Sequence, residues 1–405
     1  ALVQGVRRLA RGQRILRAAP PEPWRARSGS YYCGDSFSTP GASTRPRAAL
    51  WHWPLALLAG LAHAAALAFP GSGTPQWWLQ LASLLALAWL VRPGTPWRRA
   101  AGLGWVFATA WLAGTFWWLF ISMHIYGGLA SPLAGAAVLA LAAFLALYYA
   151  VSLGLFSALA HTQRALSALI FAALWLLAEL ARGTWWTGFP WGASGYAHVD
   201  GPLAVLARSV GVYGIAAVAA ALAMLLAQLR RSDLYRPRAW ALVVTVAIAL
   251  AGLSWQRQQA IATPNPAATA PLTLALLQGS IPQDEKFQFG SGIPMALQWY
   301  SDQLRNATQQ LVVAPETAIA VLPQQLPPDY LQTIEDQYTS GAQAALIGIP
   351  LGDLRLGYTN SVLGWQPGQS APYRYNKQHL VPFGEFIPPL FRWFTDLMNI
   401  PLGDF

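Results

Sequence analysis

Seven apolar stretches dominate this chain, and they constrain its fold more than any other feature of the sequence. They cover residues 50–69, 77–91, 101–121, 129–160, 165–181, 204–228 and 239–255. Most of them approach the roughly 20 residues that a helix needs to cross a hydrocarbon layer about 30 Å thick. Because lipid cannot satisfy exposed backbone polar groups, uniformly apolar runs of this length predict helices. The expected architecture is therefore a polytopic α-helical membrane bundle of about seven spans.

The placement of the arginines predicts how the bundle is oriented. The chain carries a net charge of +10 with only 10% charged residues, against about 25% in soluble proteins. In the even-numbered connections between the apolar runs lie Arg92, Arg98, Arg99, Arg164, Arg230, Arg231, Arg236 and Arg238. The odd-numbered connections hold only Arg182. The positive-inside rule then places the even connections in the cytoplasm and everything after Trp255 outside, a membrane-topology pattern rather than a nucleic-acid-binding patch.

Composition divides the chain into four parts. Residues 1–48 are rich in Arg, Pro, Ser and Gly, without a sustained apolar period, and we predict a basic, disordered arm. Residues 49–257 form the predicted transmembrane domain. Residues 258–271 include a Pro-, Ala- and Thr-rich stretch and are predicted to be a linker. Residues 272–405 have a different texture, which predicts a folded domain outside the membrane.

The last part alternates strand-like and helix-like segments. Strands are predicted at 272–277, 311–314, 344–349 and 361–365, and amphipathic helices at Met295–Gln309 and Tyr330–Gln343. Such alternation indicates an α/β layer structure. A Rossmann or P-loop domain is excluded, because no Gly-rich phosphate loop follows any of these strands.

Three ionisable residues in this part could carry chemistry. Glu316 directly follows a predicted strand, so the strand end would direct its carboxylate into a cleft. Lys377 lies in an aromatic-containing segment, with Glu385 eight residues further on. A carboxylate near a lysine can act as a general base while the ammonium stabilises an oxyanion. Acyl transfer would also need a nucleophile, and spacing alone leaves open that these are unrelated surface residues.

The segments around these residues resemble the apolipoprotein N-acyltransferases, membrane-anchored members of the nitrilase superfamily. The resemblance rests on Gln278–Gln283 (QGSIPQ), Ala314–Ile319 (APETAI) and Tyr375–Phe386 (YNKQHLVPFGEF). Thr187–Trp191 and the nearby Asp200–Pro202 look like an outer loop of that family. The resemblance runs from about residue 50 to the end of the sequence, and its Tyr-Asn-Lys stretch is the most specific part.

What the resemblance implies is a Glu-Lys-Cys triad in an α-β-β-α sandwich on the periplasmic face. Glu316 would be the general base, Lys377 would stabilise the tetrahedral intermediate, and Glu385 would be the acid that positions the lysine. The residues assigned to substrate binding in the same way are Gln278, Phe287, Tyr375 and Asn376. The resemblance implies neither a metal nor any other cofactor.

Three departures from the family pattern bear on activity. The family's cysteine lies some tens of residues beyond the lysine, where this sequence has already ended, and Cys33 lies on the predicted cytoplasmic side. The family usually has Trp where this chain has Phe287. An eighth helix that normally follows the sandwich is also absent. We therefore expect an incomplete sandwich, and no acyltransferase activity from this 405-residue chain by itself.

The resemblance implies a phospholipid:apolipoprotein N-acyltransferase of the bacterial inner membrane, with its catalytic domain in the periplasm. Its expected partners are the bilayer, a phospholipid acyl donor such as phosphatidylethanolamine, and an apolipoprotein acceptor, with no nucleic acid. Two alternatives stay open. A membrane-tethered nitrilase-type amidase would have a closed polar pocket over Glu316, where the acyltransferase would have an apolar slot. A transporter or scaffold would show paired intramembrane charges or an internal repeat.

Overall fold

The computed structural model describes residues 50–233, 235–262, 271–353, 355–369, 371–381 and 385–386. The predicted basic arm of residues 1–48, with Cys33, and residues 263–270 of the predicted linker lie outside the described residues. The described residues form a helical part up to residue 262 and an α/β part from residue 271 onward.

Each of the seven apolar runs coincides with a helix. In chain order the helices are α1 (His52–Leu67), α2 (Trp77–Leu90), α3 (Trp97–Thr115), α4 (Trp117–Ile121), α5 (Ser131–Leu159), α6 (Arg164–Thr184), α7 (Ala207–Ala227) and α8 (Pro237–Ala262). The last of these continues five residues into the segment predicted as a linker. The helical character of the first part is therefore confirmed.

Length and hydropathy support three membrane-crossing helices among the described residues. These are α5, α6 and the stretch Pro202–Ala227, with mean hydropathy of 2.2, 1.7 and 2.3. A fourth span results if α3 and the following Trp117–Tyr126 are taken together as one bent span. The apolar parts of α1, α2 and α8 are shorter. The seven-span arrangement stays a prediction.

The third apolar run, predicted as one continuous segment, is bent by 55° where α3 ends and α4 begins. The hydroxyl of Thr115 donates a hydrogen bond to the carbonyl of Trp111 at 2.9 Å, a contact that bends helices. After α4 the chain continues as a π-helical turn at Ser122–Tyr126. Apolarity alone does not reveal such a break, because both halves are equally apolar.

The core of the bundle combines close helix contacts with stacked aromatic rings. Helix α3 packs against α1 and α5, and α6 packs against α7 and α5. A side chain at Gly60 would place its Cβ 2.2 Å from the carbonyl oxygen of Phe107, so only glycine permits this approach of α1 to α3. The fully buried rings of Trp111 and Trp175 stack 5.9 Å apart.

A buried ion pair at one end of α6 holds the connection between α6 and α7. Glu179 and Arg182 have fully buried side chains, with a charged nitrogen and oxygen 3.9 Å apart. Nη1 of Arg182 donates to the carbonyls of Phe189 and Trp191 at 2.6 and 2.7 Å. Glu179 accepts hydrogen bonds from the backbone and the hydroxyl of Ser194. The pair therefore fixes the α6–α7 connection.

The α/β part is built on one five-stranded mixed sheet. Its strands are β1 (Leu274–Leu276), β2 (Leu311–Val313), β3 (Ala344–Asp353), β4 (Gly357–Trp365) and β5 (Tyr373–Asn376). They lie in sequence order; β1, β2 and β3 are parallel, and β3, β4 and β5 form an antiparallel meander. Four of the five strands were predicted, and β5 was not.

Two amphipathic helices accompany the sheet, α9 (Gly292–Asn306) and α10 (Tyr330–Ser340). The hydroxyl of Tyr338 on α10 donates to the carbonyl of Leu304 on α9 at 2.7 Å, which ties the two helices together. Their apolar faces share one core with the buried residues Val312 and Ile347 of the sheet. This is the α/β layer structure that the alternating segments predicted, and the incomplete α-β-β-α sandwich stays a prediction.

Candidate functional site

Glu316 lies three residues beyond the end of β2, in a tight turn. The amide of Ala318 donates to the carbonyl of Pro315 at 3.2 Å, and the amide of Ile319 donates to the carbonyl of Gly348 on β3 at 3.1 Å. Thr317 has a φ of +51°, which is rare for a β-branched residue and stores backbone strain. The strained turn directs the chain sharply away from the sheet directly after Glu316, whose side chain is 58% exposed.

Gly348 on β3 makes this turn possible. A Cβ built at Gly348 would lie 2.3 Å from the carbonyl oxygen of Pro315, 2.7 Å from Cα of Glu316 and 2.8 Å from the amide nitrogen of Thr317. All three atoms belong to the backbone, so none can rotate away. A glycine in the neighbouring strand therefore determines how closely Glu316 approaches the sheet.

Lys377 follows β5 directly and is placed by the register of the meander. Ser361 on β4 pairs with Asn376 on β5, and the next pair along the ladder is Asn360 with Lys377. The amide of Lys377 donates to the carbonyl of Asn360 at 2.8 Å, which continues the ladder by one step. The last residues of β5 thus carry the lysine to the sheet position beside Asn360.

The side chains of Glu316, Lys377 and Glu385 meet. Nζ of Lys377 donates to Oε1 of Glu316 at 3.0 Å and to Oε1 of Glu385 at 2.9 Å. Glu385 is the more enclosed of the two acids, with its side chain 10% exposed, and its Oε2 accepts the backbone amide of Val381 at 2.8 Å. The ammonium therefore bridges an accessible carboxylate and a buried one.

The charges in this cluster stabilise one another's ionised forms. Partial burial lowers the pKa of Lys377, but the hydrogen bonds and charges of Glu385 and Glu316 outweigh it, so the pKa rises above its usual range. Burial raises the pKa of Glu385, but hydrogen bonds from Lys377, Asn360 and the Val381 amide lower it further than burial raises it. Near neutral pH the lysine is cationic and Glu385 is anionic.

Asn360 is a member of the cluster that the sequence did not reveal. Its Nδ2 donates to Oε1 of Glu385 at 2.9 Å and also to Oε1 of Glu316. Oε1 of Glu316 and Oε1 of Glu385 therefore each accept one hydrogen bond from the ammonium of Lys377 and one from the uncharged amide of Asn360. Asn360 lies within β4, one residue before the strand predicted at 361–365, and the register places it next to Lys377.

Lys286 is a second residue that sequence reasoning missed. Burial holds the pKa of the Lys286 ammonium below its usual range. The nearby negative charge of Glu316 raises this pKa, but by less than burial lowers it. Its Nζ lies 5.7 Å from the ring of Phe287, whose side chain is 55% exposed. The loop that carries Phe287 is therefore a neighbour of Glu316.

The remaining residues predicted to bind substrate, Gln278, Tyr375 and Asn376, lie on strands of the sheet or just after them. Gln278 is exposed two residues after β1, and Tyr375 is 45% exposed on β5. Oδ1 of Asn376 accepts hydrogen bonds from the hydroxyl of Ser361 at 3.0 Å and from Nε of Arg374 at 2.9 Å. Asn376 therefore joins β4 to β5. Among the described residues no hydrogen bond joins Gln278, Tyr375 or Asn376 to Glu316.

This arrangement can accept a proton and stabilise a negative charge at one place. Both donors to Glu316 contact Oε1, so Oε2 is outside these two contacts and can take a proton from a reacting group. The ammonium of Lys377, held by two carboxylates, can approach an oxyanion that forms beside it. Within the described residues no group of three or more His, Cys, Asp or Glu side chains is placed to hold a metal ion.

Comparisons with known proteins identify the family of this chain. Residues 59–225 match the family model described as the apolipoprotein N-acyltransferase N-terminal domain. A protein named apolipoprotein N-acyltransferase from Verminephrobacter eiseniae is 63% identical over 364 residues, which are 88% of this chain and 68% of that protein. A protein of the same name from Ralstonia nicotianae is 43% identical over 381 residues, 91% of this chain and 71% of that protein. The chain therefore belongs to the apolipoprotein N-acyltransferase family, and it is a membrane protein of an acyltransferase family.

Proposed function

We propose that this protein transfers an acyl chain from a phospholipid to the α-amino group of a diacylglyceryl-cysteine at the N-terminus of a lipoprotein. The observation that carries the proposal is the contact of one ammonium, Lys377, with the exposed carboxylate of Glu316 and the enclosed carboxylate of Glu385. An acyl transfer needs both parts: a base that takes a proton and a fixed positive charge for the oxyanion.

In the first half of the reaction a cysteine thiol gives its proton to Glu316. The thiolate attacks the ester carbonyl of the phospholipid, and the ammonium of Lys377 stabilises the oxyanion of the tetrahedral intermediate. As the intermediate collapses, the C–O bond breaks. The lysophospholipid alkoxide takes the proton back from Glu316 and leaves a thioester.

In the second half the lipoprotein amine attacks the thioester carbonyl. Glu316 takes the proton from the attacking nitrogen, Lys377 again stabilises the oxyanion, and the thiolate leaves as the amide forms. Glu385 and Asn360 do not touch the reacting atoms in this scheme. They hold the ammonium and the base at a fixed separation.

The surroundings of Glu316 favour a lipid-sized substrate over a small amide. Two exposed aromatic side chains lie near Glu316. Phe287 follows Lys286, whose charge interacts with Glu316, and Tyr375 lies two residues before Lys377. Aromatic neighbours of this kind suit the apolar chain of a lipid better than a small polar amide.

The finer parts of the proposal follow from topology and family. We infer seven spans, a catalytic domain of the α-β-β-α type and a periplasmic site in the bacterial inner membrane. The phospholipid donor is expected to be phosphatidylethanolamine. The support for this topology is the clustering of arginines in the even connections, which by the positive-inside rule are cytoplasmic.

The test uses the product of the whole reading frame that encodes these residues, purified in detergent. It is incubated with phosphatidylethanolamine labelled in its acyl chain and with a diacylglyceryl-cysteine peptide. We expect the label in the peptide in a base-stable amide linkage, and no release of ammonia from small amides. Ammonia release without acylation of the peptide would support the amidase and reject the proposal.

The 405-residue chain by itself is a second test. Its single cysteine is Cys33, which precedes the first apolar run and lies outside the described residues. We expect this chain to form no acyl-enzyme from the labelled phospholipid. Formation of a thioester by the isolated chain would contradict the assignment of the nucleophile.

A further inference from the structure

A cavity of about 620 Å³ opens at the end of the bundle opposite the Glu179–Arg182 ion pair. Four parts of the helical fold enclose it: the start of α1, the α2–α3 connection, the α5–α6 connection and the end of α7. Its volume is in the range of small-molecule sites. The walls consist of His52, Trp89, Leu90, Arg92, Pro93, Gly94, Thr95, Pro96, Arg99, His161, Thr162, Arg164, Ala227, Gln228, Leu229 and Arg230.

The cavity is strongly positive. Four arginines line it, Arg92, Arg99, Arg164 and Arg230, and they come from three different connections. One carboxylate is close: Asp233 accepts from Nη1 of Arg164 at 2.5 Å and from the backbone amide of Arg230 at 2.8 Å.

No further carboxylate is available at this end of the described helical part. Between residues 49 and 262 the sequence contains three acidic residues, Glu179, Asp200 and Asp233. Glu179 pairs with Arg182 at the opposite end, and Asp200 lies in the same α6–α7 connection. One carboxylate against four arginines leaves a cavity that attracts anions.

Apolar and aromatic side chains lie beside these charges in and around the cavity. The guanidinium of Arg92 lies 4.8 Å from the ring centroid of Trp89, and Leu90, Ala227 and Leu229 supply apolar surface. Trp51 next to it is half exposed, as is typical of side chains at the level of lipid headgroups. A ligand with an anionic head and an apolar body fits this composition better than a fully polar one.

The positive-inside rule explains why arginines occur at this end, but not why four of them line the same cavity. Arginine is the preferred partner of phosphate because its planar guanidinium donates two parallel hydrogen bonds. Basic pockets between membrane helices on this side bind the headgroups of anionic lipids.

We propose that this cavity binds a phosphate group, and that its source is the headgroup of an anionic phospholipid from the surrounding leaflet. The site is separate from the acid/base cluster, since neither Glu316 nor Lys377 lines it. The inference therefore does not depend on the proposed function. The bound lipid would hold together the connections that enclose the cavity.

Arg92 and Arg98 provide a matched comparison. Both are exposed arginines in the same connection, and each lies over a tryptophan ring, at 4.8 Å from Trp89 and 5.3 Å from Trp97. Arg92 lines the cavity and Arg98 does not. Arg92→Gln and Arg98→Gln remove the same charge from the same end of the bundle, so nonspecific attraction to an anionic membrane falls equally in both.

The experiment titrates the full chain in detergent with phosphatidylglycerol and counts bound lipid by native mass spectrometry. Phosphatidylcholine is the zwitterionic comparison. We expect Arg98→Gln to bind phosphatidylglycerol like the unaltered chain, and Arg92→Gln and Arg230→Gln each to bind it roughly fivefold more weakly, which corresponds to about 1 kcal/mol per basic residue. Arg92→Lys keeps the charge but loses the paired hydrogen bonds, so it should bind less tightly than the unaltered chain and more tightly than Arg92→Gln, which separates lost binding from failed folding.

A parallel arm uses glycerol phosphate, which has the same phosphate chemistry without acyl chains. Displacement of phosphatidylglycerol by millimolar glycerol phosphate would identify a soluble phosphate ester as the occupant and overturn the lipid source. Equal losses for Arg92→Gln and Arg98→Gln, or equal binding of phosphatidylglycerol and phosphatidylcholine, would overturn the site itself.

Discussion

Replacing Gly348 by alanine is expected to displace the turn that carries Glu316. The added Cβ would lie 2.3 Å from the carbonyl oxygen of Pro315, whereas ordinary contacts begin at 3.4 Å. The backbone of β3 at Gly348 and the backbone of the turn at Pro315 must therefore separate by about 1 Å, since the atoms nearest the added Cβ all belong to the backbone and cannot rotate away. Forced overpacking of this kind costs roughly 1–3 kcal/mol. A shift of about 1 Å at a catalytic group can lower a rate by about 100-fold.

The assay for this variant is hydrogen exchange combined with thermal unfolding in detergent. Two amides report the strand contact directly, because Ala314 donates to the carbonyl of Leu346 and Ile319 donates to the carbonyl of Gly348. We expect both to lose protection in Gly348→Ala. Gly290→Ala is the control, since a Cβ there has no neighbour within 4 Å. Unchanged protection and an unfolding temperature equal to that of Gly290→Ala would refute the reasoning.

Three further substitutions test the electrostatics of the protein. Glu385→Gln should lower the pKa of Lys377, and its destabilising effect should be confined to the pH range in which both groups are charged. That effect should disappear as the pH falls through the depressed pKa of Glu385, below 4.5, and also as the pH rises through the elevated pKa of Lys377, above 10.5. NMR titration of labelled lysine measures the pKa of Lys377, and unfolding at several pH values measures the destabilisation. Arg182→Met should destabilise the bundle by about 3–5 kcal/mol, because it leaves a buried carboxylate unpaired, whereas Arg208→Met at an exposed position should change thermal unfolding little. Asn360→Asp should destabilise the protein more at pH 8 than at pH 5, since it adds a third negative charge to the cluster; an equal effect at both pH values would contradict the described contacts.

The helical part was predictable from sequence because its signal is local. Each of the seven apolar runs between residues 50 and 255 is helical, and the third is divided between α3 and α4. The bend after Thr115 was not predictable, since the apolar stretch continues through it without a change in composition. The complete burial of the Glu179–Arg182 pair was also not predictable, because apolar runs do not show which charged side chains face the interior.

The α/β part shows which strand signals are visible in a sequence. Strands β2 and β3 have runs of buried aliphatic residues and were predicted within a few residues of their bounds. Strand β5, Tyr373–Asn376, is exposed along its whole length and contains an arginine, so it has neither apolar alternation nor an apolar run. Its existence depends on pairing with β4.

The acid/base cluster could be named from the resemblance but not assembled from spacing. Glu316 and Lys377 are distant in sequence, and the geometry that joins them depends on the register of β4 with β5. Asn360 carried no signal of its own for the same reason. The close approach at Gly348 is equally invisible, because a glycine in a predicted strand does not disclose which backbone lies against it.

The most direct test of the account is the rate of thioester formation in a single turnover. The product of the whole reading frame is mixed with acyl-labelled phosphatidylethanolamine, and the acyl-enzyme is followed with Glu316→Gln and with Glu335→Gln, a matched change on α10. Loss of a general base typically costs 10²–10⁴-fold. The account predicts a loss of at least about 100-fold for Glu316→Gln and none for Glu335→Gln. Thioester formation at the unaltered rate in Glu316→Gln would contradict it.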